Sequence, residues 1–231
     1  MRKTVHRILA AVLAAVLLST CAGAADYGST VLAGALALSD TAALTTETQA
    51  GTGVKGLQEN VVTYVPEQNV RPVVAFGSTL YGRSAMNVTA KYLADKGYSI
   101  VAGVNGAFFD MTDGIPYGLV VTDGVLRTSG NISSVGFFDS GAAVIGKPGL
   151  SVKLSTASGT PLDIFYNKVL TVSNGIGLYS NDYDTKTKNT VSAYNLVLQP
   201  DSQATAELKL NGTVTARVVR IAEKTASCDI P

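Results

Sequence analysis

Histidine, cysteine and tryptophan are scarce in this sequence of 231 residues, which has one histidine, two cysteines and no tryptophan. The histidine is His6, so the chain beyond the first 24 residues has none. A Ser-His-Asp relay, a Cys-His relay and a histidine-ligated metal are therefore excluded there. Cys228 is the only cysteine after Cys21, and no intrachain disulfide is expected once the first residues are removed.

The sequence also has no large excess of positive or of negative charge. The chain has 18 lysines and arginines against 17 acidic residues, and no run of like charge. Capture of nucleic acid needs a clustered positive excess, so no nucleic-acid partner is expected. The longest uncharged apolar run, Ile8 to Leu18, is shorter than the roughly 20 residues that span a bilayer. We therefore expect no membrane span.

The first 24 residues have the pattern of an export signal. A basic start at Arg2, Lys3 and Arg7 precedes the apolar run, and Ala22-Gly23-Ala24 is a small-residue cleavage site. The sequence thus predicts a signal peptide over 1–24 and a secreted or cell-envelope location. Removing it leaves 207 residues, with 15 basic and 17 acidic side chains and a formal charge of −2.

Cys21 offers an alternative for the same segment. Leu18-Ser19-Thr20-Cys21 resembles a lipoprotein box, in which the cysteine becomes a lipid-modified N-terminus. A residue smaller than Thr20 is usual before that cysteine, so cleavage at Ala24 is the favoured interpretation.

The remaining chain is punctuated by turn residues. Residues 25–56 are rich in Ala, Thr and Gly and predict an arm, either extended along the domain or mobile. Residues 57–231 alternate β-branched runs with Gly, Pro, Asn and Asp. Strands are predicted at 61–65, 73–76 and 98–104, the last one buried, and a helix between a Ser84 cap and a Gly97 stop.

Four turn pairs predict hairpins in the second half of the chain. They are Asp123-Gly124, Ser140-Gly141, Ser158-Gly159 and Asn211-Gly212. Together with the single strong helix, they predict an α+β fold of mostly antiparallel strands and hairpins with few helices.

The segment from Asn105 to Gly118 concentrates unusual residues. It places Asn105-Gly106 after the predicted buried strand, and then the following side chains and turn formers: Phe108, Phe109, Asp110, Asp113, Gly114, Pro116 and Gly118. Loops at strand ends are common places for binding groups. Paired carboxylates beside aromatics can serve glycoside hydrolysis without histidine.

Two other interpretations of this loop stay open. In one, the phenylalanines lie in the core and the aspartates cap turns, so that the loop is structural. In the other, Asp110 and Asp113 hold calcium, although the alternating ligand spacing of an EF-hand is absent. No metal and no cofactor are expected from the sequence.

An ordered series of motifs around this loop resembles the phosphodiester glycosidase family. The series covers roughly residues 60 to 231 and consists of Tyr64-Val65-Pro66, Arg71-Pro72-Val73-Val74, Gly77, Asn105-Gly106-x-Phe108-Phe109-Asp110, Gly114 to Val121, Asp123-Gly124, Val135-Gly136-Phe137, Ile145-Gly146-x-Pro148, Asn167-Lys168, Gly175 to Tyr179 and Asp182-Tyr183. The resemblance implies hydrolysis of a sugar-1-phosphodiester, such as one of N-acetylglucosamine, in envelope or extracellular glycans.

The resemblance also implies roles for residues. Asp110 and Asn105 are the expected catalytic residues, Asp110 to stabilise positive charge at the anomeric carbon and Asn105 to orient the substrate. Expected substrate contacts are Gly106, Phe108, Phe109, Asp113, Pro116, Gly118 and Arg71. Arg83 and Arg127 are further phosphate partners by charge and geometry, against the plain alternative of solvated surface arginines.

Two departures from the family pattern favour a rival. Ala107 lies where Asp or Gly is common, and the family's later Pro-Arg-Thr-Ala and Asp-Gly-Gly-Gly-Ser-Ser segments have no counterpart. Residues 57–231 are therefore expected to be the N-terminal portion of an incomplete domain, with weak or no activity alone. The rival from another class is a non-catalytic envelope module that binds glycan or packs against a partner.

Overall fold

The structure is a computed structural model that describes residues 29–51, 54–66, 70–202 and 206–231. The predicted signal peptide, with Cys21 and His6, lies outside the described residues. The chain forms two compact units, Met1–Pro72 with Asp139–Gly141, and Val73–Phe138 with Ala142–Pro231.

The first unit contains a three-stranded antiparallel meander. Its strands are β1 (Ser29–Ala37), β2 (Ala42–Gly51) and β3 (Val54–Tyr64), in that order in the sheet. Opposite Thr46 in the β2–β3 register stands Asn60, and the Thr46 hydroxyl donates to its side-chain oxygen at 3.0 Å. Of the predicted arm, the described residues 29–37, 42–51 and 54–56 thus lie in β1, β2 and the beginning of β3.

Among its described residues, the second unit has one helix, α1 (Met86–Asp95), at the predicted place. Gly97 ends it with a φ of 92°, as its sequence position indicates. The prediction of a Ser84 cap is wrong, because Ala85 is the N-cap and no side chain caps the helix. The Ser84 hydroxyl instead accepts a bond from the Thr89 hydroxyl at 3.4 Å.

Ten strands, most of them short, follow α1 in the part of the second unit that the structure describes. They are β4 (Val120–Thr122), β5 (Val125–Thr128), β6 (Ser134–Phe137), β7 (Ala143–Gly146), β8 (Lys153–Leu154), β9 (Leu162–Asp163), β10 (Phe165–Tyr166), β11 (Gly177–Leu178), β12 (Ala193–Pro200) and β13 (Ala216–Thr225). Each pairs with one neighbour, antiparallel except for the parallel β10–β11 pair. The prediction of a mostly antiparallel α+β fold is confirmed.

The β4–β5 hairpin shows how local sequence sets these pairs. Asp123 and Gly124 connect the strands with φ values of 51° and 77°. Positive φ at both positions is the requirement of the tight turn that Asp-Gly pairs favour. The hairpin predicted from this pair is therefore confirmed.

The hairpin predicted around Asn211-Gly212 is wrong. Asn211 does adopt a turn conformation with a φ of 57°. However, Leu208 accepts the Leu126 N–H at 2.8 Å, so the residues before the turn lie along β5. Strand β13 pairs with β12 instead.

Two of the predicted strands do not form either. Residues 73–76 and 98–104 have no strand structure, whereas 61–65 falls within β3 except for its last residue. The prediction of a buried strand at 98–104 is wrong in both respects, because no strand forms there and Val104 is 87% exposed. Its β-branched run has the composition of a core strand, but no strand of the described chain pairs with it.

The core of the second unit centres on Leu80, Ile115 and Tyr183, all buried. Backbone bonds from Leu80 to Asp182 and from Tyr81 to Tyr183, at 2.8 and 2.9 Å, hold the two chain segments together. The ring of Tyr179 meets that of Tyr183 edge-on, with centroids 4.9 Å apart. Among the described residues no helix is both long and apolar enough to cross a membrane.

Candidate functional site

The predicted loop forms a short hairpin whose tip spans residues 110 to 115. The Tyr117 N–H donates to the Phe108 carbonyl and the Asp110 N–H to the Ile115 carbonyl, both at 2.9 Å. The Gly114 N–H closes the tip by donating to the Asp110 carbonyl at 2.7 Å. Backbone bonds therefore fix the position of Asp110.

Both carboxylates of the hairpin accept backbone N–H groups two residues further on. Asp110 accepts from Thr112 at 2.7 Å, and Asp113 accepts from Ile115 at 2.8 Å. The Thr112 N–H lowers the pKa of Asp110 below its ordinary value. Asp110 is therefore an anion at neutral pH, suited to stabilise positive charge or to attack, and unsuited to donate a proton.

The hairpin rests directly on the chain segment that precedes α1. The Gly82 N–H donates to the Asp113 carbonyl at 2.6 Å. Gly114, with a φ of 77°, lies so close that a Cβ there would be 2.2 Å from the Gly82 carbonyl oxygen. Next to it, Ile115 is buried in the core beside Leu80. The tip is thus held by contacts that only glycine permits.

Lys168 ties down the other arm of the hairpin. Its ammonium group donates to the carbonyl of Pro116 and, at 3.4 Å, to that of Gly118. Burial lowers the pKa of Lys168 to about 8, and the negative charge of Asp113 opposes that shift. Lys168 belongs to the motif series, but the series did not indicate that Lys168 bonds to the hairpin.

The residue before Lys168 fixes its direction. Asn167 is fully buried with a φ of 51°, a conformation that asparagine tolerates better than most residues. Its side-chain amide donates to the Arg127 carbonyl at 2.6 Å and to the Ser180 hydroxyl at 2.8 Å. It also accepts the Ser180 N–H at 2.8 Å, so all three of these bonds orient the turn.

The phenylalanines of the hairpin are open to solvent. Phe108 is 81% exposed and Phe109 is also classed as exposed. The alternative that places them in the core is therefore wrong, whereas turn capping by the aspartates is confirmed. Asn105 and Gly106 are exposed as well, and no hydrogen bond of the Asn105 side chain is found among the described residues.

The three arginines considered for phosphate lie in different surroundings. Arg71 belongs to the first unit and is exposed. Arg127 is only 18% exposed and forms ion pairs with Asp182 at 2.8 Å and with Glu207 at 3.6 Å. Arg127 is therefore a structural residue. Arg83 is exposed and follows Gly82, which bonds to the hairpin.

Arg83 lines a cleft of about 400 Å³ between residues 76–84 and helix α1. The cleft is lined by Phe76, Gly77, Ser78, Thr79, Tyr81, Gly82, Arg83, Ser84, Val88, Lys91, Tyr92 and Asp95. Sequence patterns indicated the helix but not the cleft, because no element was predicted for residues 77–83, which form most of its other wall.

Acidic side chains do not converge in the described ranges. No group of three or more His, Cys, Asp or Glu residues there is placed to hold a metal ion. The calcium interpretation of Asp110 and Asp113 gains no further ligand, and one oxygen of each already accepts a backbone N–H.

Comparison with known proteins gives no relative on which to draw. No family model, no curated protein and no solved structure matches the chain.

Proposed function

We propose that the chain is an exported phosphodiester glycosidase that hydrolyses a sugar-1-phosphodiester of envelope or extracellular glycans. The observation that carries the proposal is the anionic Asp110 on a backbone-fixed hairpin, next to the exposed ring of Phe108. The ordered motif series of the sequence supplies the substrate class. The same motif series predicts that residues 57–231 form an incomplete domain, and therefore that they have weak or no activity alone.

The chemistry needs little beyond a fixed negative charge. Glycosidic cleavage passes through an oxocarbenium-like state, which a carboxylate beside the anomeric carbon stabilises. A phosphomonoester is a better leaving group than an alcohol, so protonation by a general acid is less necessary. An active site with one ionised carboxylate and no histidine is compatible with this reaction.

In the proposed reaction, the bond between the anomeric carbon and the phosphate oxygen breaks, and its electron pair leaves with the phosphomonoester. An oxygen from water forms the new bond to the carbon, either directly or after attack by Asp110, and the proton that this water loses passes to the released phosphomonoester. Asn105 and the backbone of Gly106 orient the sugar, with Phe108 and Phe109 against its apolar face.

Free sugar released from an N-acetylglucosamine-1-phosphodiester tests the proposal. We expect weak or no release by this chain, release by a version that also carries the family's later segments, and a loss of at least about 100-fold when Asp110→Asn is made in that version, because the neutral amide stabilises no positive charge. Asp123→Asn is the matched control, since Asp123 is an exposed turn aspartate at which asparagine is also favoured. Absence of turnover by the version that carries the later segments, or equal rates in both variants, would contradict the enzymatic proposal.

A second candidate function is a non-catalytic module that binds glycan. One observation favours it: Asp110 and Asp113 both serve as turn caps, a structural role that needs no substrate. Glycan binding without sugar release, unchanged by Asp110→Asn, is the result expected of such a module.

A further inference from the structure

The cleft beside α1 has walls of two kinds. One wall is the irregular segment 76–84, and the other is the exposed side of the helix, with Val88 and Tyr92. Its volume of about 400 Å³ falls in the lower part of the range of about 300 to 1,000 Å³ seen for small-molecule sites. The cleft is thus large enough for a small ligand.

Aromatic side chains dominate the apolar part of the cleft. Phe76, Tyr81 and Tyr92 all line it, together with the hydroxyl residues Ser78 and Thr79. Rings that offer an apolar face beside hydroxyl groups suit a pyranose, which has an apolar C–H face and polar edges.

The two cationic side chains of the cleft, Lys91 and Arg83, differ in their ion pairing. Lys91 is neutralised by Asp95 one helical turn later, at 2.9 Å. Arg83 has no ion pair within the described ranges, although it is exposed in the same cleft. A guanidinium group presents a planar fork of donors that fits carboxylate and phosphate oxygens. The cleft therefore has one cation available for an anionic ligand.

The Arg83 wall is continuous with the candidate site. Gly82 bonds to the Asp113 carbonyl and packs on Gly114, so the residue before Arg83 is part of the support of the hairpin. A glycan whose sugar lies at the hairpin has a neighbouring surface for a further unit in this cleft.

We propose that the cleft binds a sugar unit carrying an anionic group, a carboxylate or a phosphate, with Arg83 as the residue that recognises the anion. The choice of a glycan as the ligand rests on the proposed function. The cleft and its cation do not involve Asp110, so binding and hydrolysis are separable by experiment.

Calorimetric titration of the full chain with matched oligosaccharides tests this inference. Three probes are compared: a neutral one, one with a uronate unit and one with a phosphorylated unit. We expect one or both anionic probes to bind at least about tenfold more tightly than the neutral probe, with the better anion identifying the source of the charge. Equal binding of all three probes, or no binding, would overturn the proposal.

Variants assign the effect to the cleft. Arg83→Gln is expected to abolish the preference for the anionic probe, and Arg83→Lys to restore part of it. Arg220→Gln, at an exposed arginine of β13 outside the cleft lining, is the matched control and is expected to keep the preference. Thermal unfolding of Arg83→Gln checks its fold. A preference that survives Arg83→Gln contradicts the assignment.

The same titration in Asp110→Asn separates the two proposals. Anion-dependent binding that persists in Asp110→Asn supports the cleft, whether or not the form with Asp110 intact releases sugar. Sugar release without any anion preference supports the glycosidase and contradicts the proposed anion site in the cleft.

Discussion

Gly82 donates its backbone N–H to the carbonyl oxygen of Asp113 at 2.6 Å. Gly114, the residue after Asp113, packs directly on the Gly82 carbonyl. This contact joins the hairpin that presents Asp110 to the segment that presents Arg83. The relative position of the two candidate functional residues thus depends on two glycines.

The first prediction concerns Gly114→Ala. A Cβ at this position would be 2.2 Å from the Gly82 oxygen, and the φ of 77° is itself unfavourable for alanine. We expect the free energy of unfolding to fall by about 3 kcal/mol or more, measured by urea denaturation. The overlap involves backbone atoms, which do not rotate away.

Gly124→Ala is the control for that measurement. Gly124 has the same φ of 77°, but a Cβ there meets nothing within 4 Å. Its expected cost is only the backbone strain, about 1 kcal/mol. Equal costs at the two glycines would show that the contact between Gly114 and Gly82 does not stabilise the hairpin.

The second prediction concerns Lys168 and pH. Burial lowers the pKa of Lys168 to about 8 from an ordinary value of 10.5. Between these two values the unfolded chain binds more protons than the folded chain, so Lys168 makes stability rise with pH in that window. The penalty of burying its charge applies in full below pH 8.

Lys168→Met removes this titration. We expect the free energy of unfolding of the wild type, relative to the variant, to increase by about 2 kcal/mol between pH 8 and pH 10.5. The value is below that of the full pKa shift because solvent screens a side chain that is not wholly buried. Denaturation curves at a series of pH values measure it, and a constant difference would contradict the prediction.

The third prediction compares two tyrosines in the core. The hydroxyl of Tyr183 is buried without a hydrogen-bond partner in the described chain, whereas the Tyr179 hydroxyl donates to the Asn189 side chain at 2.5 Å. Removing an unpaired buried hydroxyl costs nothing, while removing the Tyr179 hydroxyl loses a hydrogen bond and leaves the Asn189 oxygen with only the Leu170 N–H, at 2.9 Å.

Tyr183→Phe is therefore expected to leave the free energy of unfolding unchanged or to raise it by up to about 1 kcal/mol. Tyr179→Phe is expected to lower it by about 1 to 2 kcal/mol. Thermal unfolding followed by circular dichroism distinguishes the two variants. Greater loss at Tyr183 would mean that its hydroxyl has a partner, such as a buried water.

Local signals in the sequence predicted the elements that need no distant partner. The Asp123-Gly124 turn and the Gly97 helix end follow from backbone conformations that few residues adopt, and both are confirmed. The strand predicted at 98–104 does not form, because a β-branched run becomes a strand only where another strand pairs with it. The hairpin predicted at Asn211-Gly212 does not form because residues 208–210, before that turn, bond to β5 and its turn instead.

The candidate site shows the same division. The sequence indicated Asp110 and the exposed aromatic of the hairpin, since these lie within one short motif. It did not indicate that Lys168 supports the hairpin from 50 residues away, or that Arg127 is held by Asp182. Those contacts depend on how the chain folds back on itself, which no spacing rule contains.

The β12–β13 pair has a consequence for the motions of the second unit. Almost every residue of β13 is exposed, and β12 has no buried residue. Opening this ribbon uncovers little additional apolar surface, so its amide protons exchange with solvent through local opening events. Amides near Leu80 and Tyr183 are released only when the core itself unfolds, and the unit therefore has a slow-exchanging centre and a fast-exchanging ribbon.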